Sequence, residues 1–510
     1  MSKSRQPELF FYDNVLGGGQ NMLTLQTGKG QQDCSGISRR DFMRVGTLGI
    51  GGLQLPGLLA NKAYAVSSGL DYVKDKSVVL LYLSGGASHI ETFNPNMEAP
   101  SPYRSLTGEV KTTLPGVTFG STFPKLARHA HEMAVIRSFS HPIGGHEQAH
   151  VHVLSGGTDP RGDGKNGFSI GSAYSRLRGP NHEKTGLPTY QLLVSPEIDG
   201  QYRKELGRVI KGSWPGSFGS SFAPYRYETR DILGKPDPAL GKSNKNSSST
   251  GKTGLAADMH LNLSEDRLKD RRYLLGQIDQ LRHDLDTSGQ LESANEYNQR
   301  AYDLLLGSAA ESFNLSSEDP RLIERYDTSG MQIRHKVLRK STLGHQMLLS
   351  RRLVEAGAGF VTVHSAGWDM HADGNNPGMV KGMNMLGTTL DKAVSAFLDD
   401  ISQRGLSEKV LLVVTGDFGR TPTVNKKGGR DHWARLGTLA FAGGGLKMGQ
   451  VIGASDKRNG EPYTDAVTPG MMMGTILHTL FDIGKIRITQ GLPADLSTFV
   501  NSLQTIPELI

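Results

Sequence analysis

Residues 77–83 read Ser-Val-Val-Leu-Leu-Tyr-Leu, a run with no polar alternation and no turn residue. A half-wet sheet would show alternating polar positions, so this segment belongs in a strand covered on both faces, as in a parallel sheet between helices. Residues 133–138 (MAVIRS), 359–365 (GFVTVHS), 410–415 (VLLVVT) and 438–442 (TLAFA) have the same character. Between two of these runs, Leu386, Leu390, Val394, Phe397, Leu398 and Ile401 share one face at helical spacing, and Gly405 stops the helix. Residues 359–415 therefore read as a βαβ unit, which implies parallel strands and a right-handed crossover. The chain is an α/β protein.

With 510 residues the chain can bury a large core, as one big α/β domain or two to three smaller ones. No internal repeat is visible. The formal net charge is +7; seven Lys/Arg and four Asp/Glu fall in residues 1–65, leaving about +4 for the rest. That charge is weak and scattered, which argues against a nucleic-acid partner. The single cysteine, Cys34, lies before the apolar run 45–60; if that segment is removed as a signal, no disulfide framework, thiolate metal site or cysteine nucleophile is possible.

Ser38-Arg39-Arg40-Asp41-Phe42-Met43-Arg44 reads as a twin-arginine signal core. An apolar, Gly-rich run of about 16 residues follows (45–60), then Ala63-Tyr64-Ala65 as a cleavage site. Gln54 and Pro56 interrupt the run, which is too short for a membrane span. The expectation is a signal segment over 1–65, a mature chain without an integral span, and a periplasmic or extracellular location. The bland alternative is a basic turn before a buried helix.

The middle of the chain differs. Residues 241–254 (GKSNKNSSSTGKTG) are polar and low in complexity, the composition of a loop. Thr250-Gly251-Lys252-Thr253 looks like the end of a phosphate loop, but Asn246 stands where that motif needs Gly and no strand precedes it. In residues 264–307, Leu274, Ile278, Leu281 and Leu285 lie on one face. They suggest a helical pair within an insertion over about 258–350.

Ligands of open parallel sheets bind at the carboxyl ends of the strands. After residue 83 come Ser84-Gly85-Gly86, then His89, Glu91 and Asn94; after 138 come His141 and Gly144-Gly145-His146-Glu147. After 365 comes Trp368-Asp369-Met370-His371; after 415, Asp417-Phe418-Gly419-Arg420, then Arg430-Asp431-His432-Trp433 before the next strand. Asp369, His371, Asp417 and His432 make a nitrogen and oxygen donor set suited to a divalent metal, Zn or Mn. Such an ion can hold a phosphate or sulfate oxygen, and Arg420 and Arg430 could clamp the anion. Trp368 and Trp433 read as packing residues, and Asp431 either orients His432 or caps a turn. Taken singly, each Asp or His is more often a loop cap or a surface residue; convergence from separate loops is what favours a site.

The combination of the leader, LSGGASHIETFNP, WDMH, GDFGRTP and GRDHW resembles the domain-of-unknown-function 1501 family, a sulfatase-like group in the alkaline phosphatase-like superfamily. The resemblance runs from about residue 77 to 484. It implies a three-layer α/β/α fold with a large, mostly parallel central sheet. It also implies that Asp369, His371 and His432 serve one metal and that Asp417 serves a second. Several positions depart from the superfamily pattern. Phe418 stands in place of a His, Ser84 in place of an Asp, and Asn94 in place of an acid. The helix that ends at Leu154-Ser155-Gly156 starts near His146, where the nucleophile would be Ser, Thr or Cys.

Three readings stay open. One is a metal-dependent hydrolase of phosphate or sulfate esters, with His146 as nucleophile or acid, Arg420 on the anion and Asp417 as ligand or base. Its substrate would be an anionic small-molecule or polysaccharide ester. Another is a non-catalytic binding or assembly protein that keeps the fold with a degenerate metal site. The weakest is a doubly wound nucleotide binder, opposed by the lack of GxGxxG after the first strand.

Overall fold

The computed structural model describes residues 71–194, 203–228, 309–331, 341–374 and 376–510. The signal segment, the polar loop 241–254 and the helical pair 264–307 lie outside the described residues.

The apolar runs form the central strands β1 (Ser77–Leu83), β4 (Met133–Ile136), β7 (Phe360–Ser365), β8 (Val410–Gly416) and β11 (Leu439–Gly443). They are joined by β5 (Tyr190–Val194), β6 (Tyr225–Glu228) and β12 (Gln450–Ile452) in one sheet of order β12-β4-β11-β8-β1-β7-β5-β6. Two small antiparallel ladders stand apart: β2 (Glu109–Lys111) with β3 (Thr118–Gly120), and β9 (Gly419–Arg420) with β10 (His432–Trp433). Within the large sheet β11 runs antiparallel to both of its neighbours, and every other pairing is parallel. The sheet is mixed and mostly parallel.

Strand β1 shows why both faces are covered. Val79, Leu81 and Leu83 join a core with α4 (Leu343–Glu355) and α5 (Thr388–Gln403), through residues such as Met347, Leu390 and Phe397. Val78, Leu80 and Tyr82 join a second core built from α1 (His146–Leu154), α2 (Ile170–Arg178), α6 (Pro469–Leu480) and α7 (Ala494–Ser502). Three layers result. The six apolar residues expected on one face from 386 to 401 are all buried against the first core. Their helix stops as expected: Gly405 has φ +67°, and the Leu406 amide donates to the Ile401 carbonyl at 2.8 Å, a closing bond that a left-handed residue permits.

The odd direction of β11 matters for function. Its first residues lie at the edge where the parallel strands end, since Leu439 is paired with Thr415 near the end of β8. Residues that precede β11 therefore meet residues that follow β1, β7 and β8. Among the described residues no helix is long and apolar enough to cross a membrane.

Candidate metal centre

Helix α1 begins at His146 after Gly144-Gly145, and no side chain caps its first turn. Positions i and i+4 share a face, so His146 and His150 both turn toward the sheet edge. Their rings stack with centroids 5.8 Å apart. The loop after β8 supplies Asp417, which is fully buried. Its Oδ1 accepts from the Gly85 amide at 3.0 Å, and its Oδ2 lies 2.6 Å from His146 Nδ1. The loop after β7 supplies Asp369 and His371, while the β9–β10 ladder pairs His432 with Arg420.

Asp369 is the hub. Its Oδ2 lies 3.6 Å from His146 Nε2, and its Oδ1 lies 3.4 Å from His432 Nε2 and 2.7 Å from His371 Nε2. The His146 and His432 rings meet edge-on with centroids 4.3 Å apart. Both of their Nε2 atoms are buried and face Asp369 at 3.6 and 3.4 Å, yet neither makes a hydrogen bond of good geometry. Such orphaned atoms need an explanation. Two ligand atoms about 2.0–2.1 Å from one tetrahedral ion stand about 3.4 Å apart, close to the spacing seen here. Ligand atoms of His146, Asp369 and His432 all lie within 4.8 Å of one another, so the three fit a divalent ion.

The four residues expected as metal ligands, three for one ion and Asp417 for a second, lie around one centre. Their roles differ from the expectation. Asp417 stands behind His146 and orients its ring through Nδ1, leaving Nε2 to face Asp369. That is the support a ligating imidazole usually has. His371 Nδ1 faces Asp431 at 3.3 Å, so Asp431 orients His371 and not His432. Phe418 packs on the His146 and His432 rings, with centroids 4.7 and 4.6 Å away. Ser84 is buried against His364 (Oγ to Nε2, 2.7 Å), outside the donor group.

The arginines correct the sequence reading. Arg420 was expected to hold an anion, yet it is fully buried. Its Nε donates to the Gly86 carbonyl at 2.8 Å, Nη1 to the Arg430 carbonyl at 3.1 Å, and Nη2 to Asp369 at 2.5 Å and to the Gly85 carbonyl. The close approach depends on Gly86: at φ +85° a Cβ there would sit 2.7 Å from the Phe418 ring. Arg430 is equally buried, held by Glu91 and by the carbonyls of Thr421, Pro422 and Arg104. Both guanidiniums are buried and tie loops together through carbonyl and carboxylate acceptors, so neither is presented to a substrate. Accordingly, Arg420→Met should lower stability by about 3–5 kcal/mol, the cost of leaving a buried charge partner alone. Denaturant unfolding checks this, and a wild-type midpoint would contradict it.

Burial alone would depress the His146 imidazole. The Asp417 charge, the contacts to Asp369 and Asp417 and the Glu205 charge outweigh it and raise the group to about 10. Burial would push the Asp369 carboxyl up, but His146, His371, His432 and Arg420 hold it far below the usual range. Asp417 is likewise held low, burial being outweighed by the His150 and His146 charges. His432 moves the other way, lowered mainly by burial, and is therefore neutral and a competent ligand.

Sequence reasoning missed His150, Glu205 and Tyr82. His150 Nε2 lies 2.8 Å from Oε2 of Glu205, on α3 (Arg203–Gly212), and 3.4 Å from Asp417, and Nδ1 lies 3.0 Å from the Tyr82 hydroxyl. His146, His150 and Glu205 form a second group able to hold an ion. The available signal was His146-Glu147-Gln148-Ala149-His150, the H-E-x-x-H spacing of helix-borne zinc ligands. In that motif the intervening Glu is a base beside the metal. Here Glu147 is exposed and pairs with Arg208 at 2.8 Å.

Residues 75–499 match the model of one family, described as a protein of unknown function (DUF1501). The chain belongs to this family. No curated protein matches it. Among solved structures, the lipoteichoic acid synthase LtaP from Listeria monocytogenes is similar at 10% identity, with 84% of this chain and 78% of that one covered and a TM-score of 0.32. The PsFucS1 sulfatase from Pseudoalteromonas sp. is 12% identical over 83% of this chain and 70% of that one, with a TM-score of 0.31. Alkaline phosphatase from the Antarctic bacterium TAB5 is 10% identical over 80% and 97%, with a TM-score of 0.31.

Proposed function

We propose that this family member is a metal-dependent hydrolase of phosphate or sulfate esters. The observation that carries the reading is the pair of orphaned Nε2 atoms, on His146 and His432, facing the two oxygens of Asp369. Those three residues would hold the ion, Zn or Mn by the chemistry of the donors. A divalent ion supplies Lewis-acid stabilisation of charge on an ester oxygen. The chain supplies the rest: Asp417 fixes the His146 ring, Arg420 anchors Asp369, and His371, 22% exposed, contacts Asp369 from the solvent side.

Elemental analysis with turnover of generic phosphate and sulfate esters tests the proposal. Near-stoichiometric metal and turnover, both lost on His432→Ala, support it. Metal without turnover assigns a binding role, and no metal sinks the hydrolase. The H-E-x-x-H spacing favours a second reading, with the ion held by His146, His150 and Glu205. Under it Glu205→Gln, and not His432→Ala, empties the protein. The first reading is preferred because His150 and Glu205 already satisfy each other.

The metal-free protein sets a pH test. The folded His146 sits near 10 against an ordinary 6.5, so its charge stabilises the metal-free fold fully below 6.5 and ceases to do so as pH rises through 10. An ion must displace that proton. Zinc affinity, read by chelator competition, should therefore rise about tenfold per pH unit between pH 6.5 and 8.5; a flat profile would contradict the assignment. The reading extends to export through residues 38–65, and recovery of the protein from the cytoplasmic fraction alone would refute that part.

A further inference from the structure

An open cleft of about 460 Å³ adjoins the centre, with His371 in its wall and Asp373, Asn425, Lys426, Lys427 and Asp431 around it. None of these six side chains is apolar. A hydroxylated or charged group would find both donors (Lys426, Lys427) and acceptors (Asp373, Asp431) among the lining residues.

The loop that carries the lysines has a fixed shape. Asn425 Oδ1 accepts from the amides of Lys427 and Gly429, both at 3.0 Å, and its Nδ2 donates to the His371 carbonyl at 2.8 Å and toward Asp431 at 3.2 Å. The Met379 amide donates to the Gly428 carbonyl at 2.9 Å, closing the other side. Lys426 and Lys427 are thus carried, exposed, on a loop tied to the backbone beside the metal centre. Arg420 and Arg430 are buried, so Lys426 and Lys427 are the Lys/Arg side chains lining the cleft.

We infer that this cleft is an outer subsite for a second negative charge of the substrate, with Lys426 and Lys427 as its specificity-determining residues. The substrate class is then a hydrophilic ester with at least two anionic groups, one reaching Asp369 and its histidines and one reaching the lysine pair. The inference rests on the hydrolase reading for the identity of the inner group, but the outer subsite can be tested without the metal.

The experiment is calorimetric titration of sucrose octasulfate into the full chain at low salt, before and after chelator treatment, with sucrose as the neutral control. Lys426→Ala/Lys427→Ala is compared with Lys409→Ala/Lys485→Ala, which removes the same charge elsewhere: Lys409 pairs with Asp75 ahead of β8, and Lys485 with Asp71 ahead of β1. The subsite predicts binding in both metal states, at least tenfold weaker in the first double variant and changed less than twofold in the second. Equal losses in the two double variants would mean bulk charge attraction and overturn the subsite, as would no loss in either or no binding by the wild type. If octasulfate binds as predicted to a protein that takes up no zinc, the subsite stands and the metal reading fails.

Discussion

Asp369→Ala is expected to empty the metal centre and destabilise the fold in a single step. The carboxylate faces Nε2 of His146, His371 and His432 and pairs with buried Arg420, so its loss removes a ligand and leaves a guanidinium charge alone. The fold should lose about 3–5 kcal/mol, toward the lower end because the Asp369 side chain is 17% exposed. Metal content should drop from near one ion per chain to below about a tenth, because a ligand itself is lost and not a residue that supports one. Asp369→Asn separates the two effects. The amide keeps the shape and part of the hydrogen bonding, so stability should recover while metal binding does not. An Asp369→Ala protein with wild-type metal content would remove the basis of the site.

Asp417→Asn is the second large effect, and it acts through a proton. The native carboxylate holds a proton on His146 Nδ1, so the proton that an ion displaces is the one on Nε2, and the lone pair freed there faces Asp369. An Asn side chain can turn its amide NH₂ to His146 and make Nδ1 the acceptor, which moves the ring proton onto the ligand atom. Zinc affinity should fall about 10–100-fold. A second readout belongs to the tautomer and not to general damage. The wild-type metal-free fold should lose stability between pH 6.5 and about 10, as the raised His146 group gives up its proton. In the variant, with the Asp417 charge gone, that pH dependence should shrink. Unaltered zinc affinity together with an unaltered pH slope would show that Asp417 does not act on His146.

The fold was largely legible because the strands at its centre are buried on both faces. Residues such as Val78 and Val79 are apolar on successive positions for that reason, and no amphipathic alternation competes with them. The outer strands gave weaker signals. β6 alternates Tyr with Arg and Glu at the sheet edge, and β12 has three residues. The direction of β11 could not be read either, because a short apolar strand has no polarity in its composition, and only the register with β4 and β8 shows it.

The site was legible as a set of residues and not as a set of roles. Strand-end loops place Asp369, His371, Asp417 and His432 together, as their positions suggest. Which carboxylate faces the two Nε2 atoms depends on burial, and sequence does not report burial in loops. The same reason hid the fate of Arg420 and Arg430, because a loop arginine aimed at a ligand and one bonded to backbone carbonyls look alike as letters. His150 and Glu205 went unnoticed because they lie within and across helices of the layer beneath the loops, and the i, i+4 histidine spacing was the single clue.

The most direct test is an anomalous-difference map from a crystal of the full chain grown with zinc, recorded at the zinc edge. A peak about 2.0–2.1 Å from His146 Nε2, His432 Nε2 and an Asp369 oxygen is the predicted result. A peak between His150 and Glu205, or a site without any peak where those three side chains keep their present spacing, would contradict it.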